Sequence, residues 1–269
     1  MSGKLLHLAE SSRMQPYYRE TADECTLFER SAELGLPLLL KGPTGCGKSR
    51  FVEAMAARLE RELITVPCHD DTGAADLLGR WLIRGGDTVW QDGPAARAVR
   101  RGAILYLDEV AEARPDVLVL LHPLTDHRRS LHLDGTGEVL EAPEGFLLVA
   151  SYNPGYQSGW KELKPSTRQR FVGLSFDYPD APIEAEILVG ETEVDASVAK
   201  QLAGLGQRLR KLDDLGLAEP ASTRLLVDAA LLIRSGMHPR AACRAAVLEP
   251  LTDDPEVLHA MAEVVALCF

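Results

Sequence analysis

Between an apolar run and a segment of helical periodicity lies Gly42-Pro43-Thr44-Gly45-Cys46-Gly47-Lys48-Ser49. The run before it, Leu36–Leu40, is typical of a buried strand, and Phe51–Leu59 repeats its apolar residues as a helix does. A glycine-rich turn between a strand and a helix directs backbone N–H groups towards an anion at the helix N-terminus. We therefore expect this phosphate loop, residues 42–49, to bind a nucleotide, with Lys48 on the β- and γ-phosphates and Ser49 on Mg²⁺.

The composition indicates an ordinary soluble protein with an acidic surface. The 269 residues carry a formal net charge of -11, and 46% of them are hydrophobic. An acidic chain argues against nucleic-acid binding, because that binding draws its affinity from neutralised phosphates. No apolar run approaches the ~20 residues that span a bilayer, so membrane insertion is not expected. The five cysteines form no CxxC pair, and the N-terminus shows no secretory signal, so we expect a reducing cytoplasm.

Apolar runs alternate with helical segments through the first two thirds of the chain. Strands are predicted at Leu36–Leu40, Glu62–Pro67, Ala103–Leu107, Phe146–Ala150 and Gly173–Phe176. Because such runs are typical of parallel strands buried on both faces, we predict a doubly wound α/β sheet with its ligand at the carboxyl edge. Helical segments then take over, at Pro182–Gly190, Asp195–Leu212, Ser222–Arg234, Pro239–Leu251 and Pro255–Leu267. We expect an α/β nucleotide-binding domain over 1–180 and a small helical domain over 181–269, joined where two prolines mark a linker.

The second chemical motif is an acidic pair at the end of the third predicted strand, Asp108 and Glu109. Asp108 is expected to hold Mg²⁺ through water, and Glu109 to polarise the water that attacks the γ-phosphate. The alternative is an acidic pair that merely opens an exposed loop. Together with the phosphate loop upstream, the pair favours ATP hydrolysis over passive binding.

Four polar residues further along the chain are candidates for contact with the γ-phosphate. Asn153 ends the fourth predicted strand, where its amide could orient the attacking water; the alternative is a turn-forming Asn-Pro pair. Arg168 and Arg170 could act on a neighbouring subunit's nucleotide, since arginine stabilises charge that develops on a transferred phosphoryl group. Arg224, at the start of a predicted helix in the second domain, could couple domain closure to the nucleotide state.

In their order along the chain, these residues resemble the AAA+ ATPases. Lys48 and the pair Asp108-Glu109 are similar to the two Walker motifs, Asn153 to sensor 1, Arg168 or Arg170 to the arginine finger, and Arg224 to sensor 2. The resemblance implies an α/β domain with a helical lid, ATP and Mg²⁺ as cofactors, and a homohexameric ring with the site between subunits. Arg170, directly before Phe171, fits the finger pattern better, but the choice between the two arginines stays open.

Two hairpin-like segments resemble a narrower branch of these ATPases. Residues 81–93, turned at Gly85-Gly86, are similar to the insert in helix 2 of the clade that includes MoxR proteins and magnesium chelatases. Residues 128–142, turned around residues 135–137, resemble the hairpin before sensor 1. In related rings such hairpins face the central pore; the alternative is a pair of surface hairpins without a partner.

Within the MoxR branch, four runs resemble the CbbQ/NorQ/NirQ proteins: Leu40–Lys48, Asp76–Arg80, Trp90–Pro94 and Ser151–Gln157. Two later runs, Arg224–Val227 and Pro250–Asp254, are most similar to CbbQ proteins. The resemblance implies a chaperone-like motor that works with a von Willebrand factor A-domain partner and reactivates inhibited Rubisco. The alternatives are a maturation motor for nitric oxide reductase or another metalloenzyme, a nucleic-acid-dependent AAA+ enzyme, and an assembly scaffold that binds ATP without turnover.

Overall fold

A five-stranded parallel sheet forms the centre of the protein in a computed structural model that describes residues 16–154, 163–212, 217 and 219–269. In chain order the strands are β1 Leu38–Lys41, β2 Leu63–Pro67, β3 Gly79–Arg84, β4 Asp87–Asp92, β5 Ile104–Asp108, β6 Ser130–Leu133, β7 Glu138–Glu141, β8 Leu147–Tyr152 and β9 Val172–Ser175. The sheet has the order β2-β5-β8-β1-β9, while β3-β4 and β6-β7 form separate hairpins. Since β1, β5 and β8 are parallel, the residues that follow them meet at one edge of the sheet.

Helices cover both faces of this sheet. They are α1 Glu24–Leu34, α2 Lys48–Arg58, α3 Ala74–Leu78, α4 Pro94–Arg101, α5 Pro115–Leu121 and the short α6 Pro165–Arg168. Side chains alternate between the two faces of a strand, so Leu38 and Leu40 pack with α1 and α2. Leu39 instead packs with α3, α4 and α5 on the opposite face. The predicted doubly wound α/β fold is confirmed.

The remaining helices pack around a core of their own. They are α7 Ala181–Thr192, α8 Ala196–Arg210, α9 Thr223–Arg234, α10 Pro239–Cys243 and α11 Pro255–Ala266, with a π-helical turn at Arg244–Leu248. Their shared core includes Leu188, Leu202, Leu226 and Val247. Among the described residues, no helix combines the length and the apolar character needed to cross a bilayer. The division into domains at residue 180 stays a prediction.

The two predicted hairpins both form, and they pack on each other. Trp81 and Trp90 face one another across β3 and β4, with ring centroids 5.4 Å apart. The indole N–H of Trp81 donates to the carbonyl of Gly135, between β6 and β7, at 3.2 Å. A Cβ on Gly135 would come within 2.3 Å of the Trp90 ring, so only glycine fits this contact. Arg100 of α4 also forms an ion pair with one carboxylate from each hairpin.

One predicted helix, Pro239–Leu251, is wrong in its length and regularity. The α-helix ends at Cys243, and the chain continues as a π-helical turn that ends at Leu248. Pro250 has no N–H to donate to a helical carbonyl, so a helix cannot run regularly through it. The predicted strands agree with the structure to within two residues at each end.

Candidate active site

The phosphate loop connects β1 to α2 and has the backbone that its glycines permit. Gly45 and Gly47 have φ of 69° and 102°, values that residues with a side chain rarely adopt. Gly47 is the N-cap of α2, so the first free N–H groups of that helix point into the loop. Lys48 is buried, and its Nζ donates to the carbonyls of Gly42 and Pro43 at 2.7 Å each. These carbonyls hold the ammonium group inside the loop.

Three hydroxyl groups surround the carboxylate of Asp108 at the end of β5. Ser49, in the first turn of α2, donates to Oδ2 at 3.0 Å. Tyr106 and Ser151 donate to Oδ1 at 2.7 Å and 2.6 Å. Hydroxyl and carboxylate oxygens are the ligands that Mg²⁺ prefers, and this ion is usually held by few protein groups together with phosphates and water. Ser49 and Asp108 therefore fit the magnesium site expected from the sequence.

Glu109 has a backbone conformation that is uncommon for a residue with a side chain. Its φ is 55° and its ψ is 45°, in the left-handed region, and its N–H donates to Ser151 Oγ at 3.1 Å. Glu109 is solvent-exposed at the edge of the cavity beside the phosphate loop. Partial desolvation of the carboxyl at this edge raises the pKa of Glu109, and the neighbouring charge of Asp108 raises it further. A carboxylate with a raised pKa beside a phosphate site suits the role of general base.

Asn153 and Arg224 both lie at the phosphate loop, although they come from different parts of the chain. The side-chain amide of Asn153 donates from Nδ2 to Thr44 Oγ1 at 3.2 Å. Arg224 is in the first turn of α9, whose N-cap is Ser222, and it lines the same cavity as Glu109. The helical part thus contacts the loop directly.

A cavity of about 270 Å³ is lined by Lys48, Ser49, Asp108, Glu109 and Arg224. Asn153 does not line it and contacts the wall residue Thr44 instead. The walls of the cavity include the phosphate loop from Thr44 to Ser49, the segment Tyr17–Arg19 before α1, and residues of α7 and α9. Phosphate-binding N–H groups, a lysine and magnesium-type oxygen ligands lie at one side of it, so the residues present fit a nucleotide with its metal ion. Burial raises the pKa of the Cys46 thiol in this wall, as expected for an inert small residue.

The two candidate finger arginines lie away from this cavity. Arg168 is exposed at the end of α6. Arg170 contacts Asp126, with 3.3 Å between Nη1 and Oδ2. Neither lines the nucleotide cavity of its own chain. The motif residues Gly155, Tyr156 and Gln157, which contributed to the family resemblance, lie outside the described residues.

Several polar residues of the site were missed by the sequence analysis. Tyr106 precedes Asp108 by two positions on the same strand, and Ser151 lies at the matching end of β8, so strand periodicity could have found both. The sequence offers no comparable signal for Tyr178, whose hydroxyl donates to the carbonyl of Thr44 at 2.8 Å. Nor does it for Glu219, which accepts from Thr44 Oγ1 at 3.1 Å.

Comparison with known proteins shows the family to which the chain belongs. Residues 37–171 match the AAA domain of the dynein-related subfamily, and residues 184–268 match the C-terminal domain named CbbQ/NirQ/NorQ. The chain is 60% identical to the Denitrification regulatory protein NirQ of Pseudomonas aeruginosa, over 94% of this chain and 97% of that protein. This chain belongs to the CbbQ/NirQ/NorQ family. As a member of that AAA+ family, it is an ATPase.

Two further members of the CbbQ/NirQ/NorQ family show similar likeness. Protein NorQ of Paracoccus denitrificans is 57% identical, with 94% of both chains covered. Protein CbbQ of Hydrogenophilus thermoluteolus is 54% identical, with 93% of both chains covered. The RuvB Holliday junction branch migration motor of Thermotoga maritima superposes with a TM-score of 0.53 over 90% of this chain and 67% of that one. At 17% identity, this last likeness shows the shared fold alone.

Proposed function

We propose that this CbbQ/NirQ/NorQ family member is an ATP-driven remodelling motor that works as a homohexameric ring. The observation that carries the proposal is the composition of one cavity. Ser49, Asp108, Glu109 and Arg224 line it, while Arg168 and Arg170 do not. A neighbouring copy that brings one of these arginines to the cavity would complete the set of charges that phosphoryl transfer uses.

Each residue then has a distinct role in hydrolysis. The N–H groups of the phosphate loop and the ammonium of Lys48 bind the phosphates. Mg²⁺, held by Ser49 and through water by Asp108, would neutralise charge on the phosphate oxygens. Glu109 accepts the proton of the attacking water, and Asn153 orients that water. Arg224 links the helical part, which acts as a lid, to the γ-phosphate.

Complementation between two inactive variants tests whether the finger acts across the subunit interface. Glu109→Gln removes the base and leaves the finger, whereas Arg170→Ala removes the finger and leaves the base. Ring contacts are heterologous, so each site takes its base from one subunit and its finger from the next. In a randomly mixed ring, up to about one quarter of the sites therefore have an Arg170→Ala subunit, with an intact base, beside a Glu109→Gln subunit, with an intact finger. We therefore expect an equal mixture to recover ATPase activity that neither variant has alone.

The same mixture decides between the two arginines. Arg168→Ala is the matched variant, since it removes an arginine two residues away on the same segment. If Arg168→Ala loses turnover and is rescued by Glu109→Gln while Arg170→Ala stays active, then Arg168 is the finger. If neither mixture recovers turnover although mixed rings form, the finger does not act in trans.

The partner protein and the client enzyme are more specific proposals than the motor function itself. The family resemblance supports a von Willebrand factor A-domain partner and supports Rubisco as a client. The identities to NirQ and NorQ, 60% and 57%, exceed the 54% identity to CbbQ, and this favours a denitrification enzyme such as nitric oxide reductase as a second candidate. All five cysteines are free, and four of them are buried, which supports a reducing cytoplasm as the compartment.

Paired client assays distinguish these candidates. ATP turnover is measured for the chain alone, with its von Willebrand factor A-domain partner, and with either sugar-phosphate-inhibited Rubisco or immature nitric oxide reductase added. The Rubisco proposal predicts that carboxylation activity returns in proportion to the ATP consumed. It also predicts that the Glu109→Gln variant neither consumes ATP nor restores carboxylation. Recovery of nitric oxide reduction without recovery of carboxylation would assign the second client. Turnover stimulated by DNA would instead contradict the remodelling proposal.

A further inference from the structure

A chain of hydrogen bonds joins the lid to the candidate water-orienting residue through the phosphate loop. Thr44 lies at the loop between two partners that are far from it in sequence. Its hydroxyl donates to Glu219 Oε1, 175 residues away, at 3.1 Å. Its oxygen also accepts from Nδ2 of Asn153, 109 residues away, at 3.2 Å. One hydroxyl group therefore connects the end of β8 with the segment that leads into α9.

The chemistry of the three groups gives this chain a direction. An ionised carboxylate can only accept hydrogen bonds, so the single proton of the Thr44 hydroxyl goes to Glu219. The Thr44 oxygen can then only accept, and Asn153 must present its NH₂ group rather than its carbonyl oxygen. Glu219 thus selects one of the two orientations that a side-chain amide can adopt.

The helical part of the chain, α7–α11, contacts the phosphate loop beside Thr44. A Cβ on Gly45 would come within 2.7 Å of the Ser222 side chain, so the phosphate loop and the N-cap of α9 touch. Tyr178, in the segment between β9 and α7, donates to the carbonyl of Thr44 at 2.8 Å. Thr44 is therefore held from the linker through its main chain and from the lid through its side chain.

We propose that Glu219 is a positioning residue for ATP hydrolysis, which acts through Thr44 to fix the amide orientation of Asn153 when the lid rests on the phosphate loop. The inference deepens the proposed function and rests on the role given there to Asn153. Without Glu219, the Thr44 proton is free to turn towards Asn153, and the hydroxyl group no longer requires the NH₂ orientation of the amide. The water-orienting step suffers, whereas the phosphate-binding N–H groups are unchanged.

Four variants and one control variant test this chain of hydrogen bonds from Glu219 through Thr44 to Asn153, called the relay below. Each is measured by steady-state ATPase kinetics in the assembled protein. Glu219→Ala and Thr44→Val each remove one link, and each is expected to lower kcat about tenfold with KM for ATP changed less than threefold, the size of one lost hydrogen bond. Thr44→Ser keeps the hydroxyl group and should retain most of the wild-type kcat. Because both changes break one pathway, the Glu219→Ala/Thr44→Val double variant should be no slower than the slower single variant. Glu249→Ala, which removes an exposed lid carboxylate paired with Arg244, is the matched control and should leave kcat unchanged.

The outcomes separate failure of the relay from failure of the proposed function. Asn153→Ala is measured in parallel; if it turns over like the wild type, the role of Asn153 itself is wrong. If Asn153→Ala is slow but Glu219→Ala is not, the relay alone is overturned. Additive losses in the double variant, or an impaired Thr44→Ser, would also overturn it, because the effect would then not pass through the hydroxyl.

Discussion

Replacement of Glu109 by glutamine is expected to lower ATP turnover by about 10²–10⁴-fold, the usual contribution of a general base, while ATP remains bound. Glutamine keeps the size of the side chain but cannot take a proton from water. The main-chain N–H of Glu109 is held by Ser151, so the backbone keeps its place when the charge is removed. Steady-state phosphate release measures the turnover, and titration with a fluorescent ATP analogue measures the retained nucleotide binding.

Glu112→Gln is the matched control for this change. Glu112 is half-buried in the 3₁₀ turn that directly follows Glu109, so the same charge is removed three residues away. It should keep turnover within a factor of about two, because Glu112 does not line the nucleotide cavity. Turnover by Glu109→Gln close to that of the wild type would show that another group accepts the proton.

The pH dependence of turnover follows from the same carboxylate. Partial desolvation raises the pKa of Glu109 above its ordinary value of 4.5, and Asp108 adds to that rise. A general base works only when it is deprotonated, so wild-type kcat/KM, which reports the free enzyme, should fall as the pH drops through a midpoint above 4.5. The residual activity of Glu109→Gln should lack this acidic limb. An acidic limb that persists unchanged in the variant would assign it to a different group.

Local sequence signals were sufficient to predict the strands and the proximity of Ser49 to Asp108. Buried parallel strands require continuous apolar runs, and Ile104–Asp108 and Leu147–Tyr152 are such runs. Because parallel strands end at one edge, the groups after them must meet there, which is why Ser49 and Asp108 were expected to lie together. The structure places them 3.0 Å apart.

Contacts between the lid and the sheet could not be predicted in the same way. The partners Thr44 and Glu219 are 175 residues apart, and nothing local to either residue indicates the other. Tyr178 reads as part of a proline-containing linker, yet its ring lies under the guanidinium of Arg210 at 4.2 Å. Such contacts depend on how the lid packs against the sheet, which periodicity does not specify.

Glu184 carries a local sequence signal for a buried ion pair. It lies four residues before Leu188 in α7, and both are fully buried on the same face of that helix. A carboxylate on an apolar helical face requires a partner, because an unpaired buried charge is too costly. The structure supplies Arg210, which donates to both carboxylate oxygens at 2.9 Å and 2.6 Å, and Thr223, which donates at 2.6 Å.

Replacement of Glu184 by alanine is expected to lower the free energy of unfolding by about 3–5 kcal/mol, because it removes the only carboxylate that neutralises the largely buried guanidinium of Arg210 among the described residues. The side chain of Glu184 is 0% exposed and that of Arg210 is 12% exposed, so the pair is largely shielded from water. For a chain of this size the loss corresponds to a fall of roughly 6–20 °C in the midpoint of thermal unfolding. Differential scanning calorimetry and urea titration measure it.

Two further variants separate charge pairing from simple loss of packing. Glu186→Ala removes an exposed carboxylate from the same helix, where it pairs with Arg19, and should cost at most about 1 kcal/mol. The Glu184→Leu/Arg210→Met double variant removes both charges and refills the space with apolar atoms, so it should recover most of the stability that Glu184→Ala loses. If Glu184→Ala unfolds at the same temperature as Glu186→Ala, the buried pair is not what holds α7, α8 and α9 together. If the double variant is less stable than Glu184→Ala, apolar packing cannot replace the directed hydrogen bonds of the pair. The bonds that Arg210 and Thr223 donate to Glu184 would then fix the start of α9, the helix that carries Arg224.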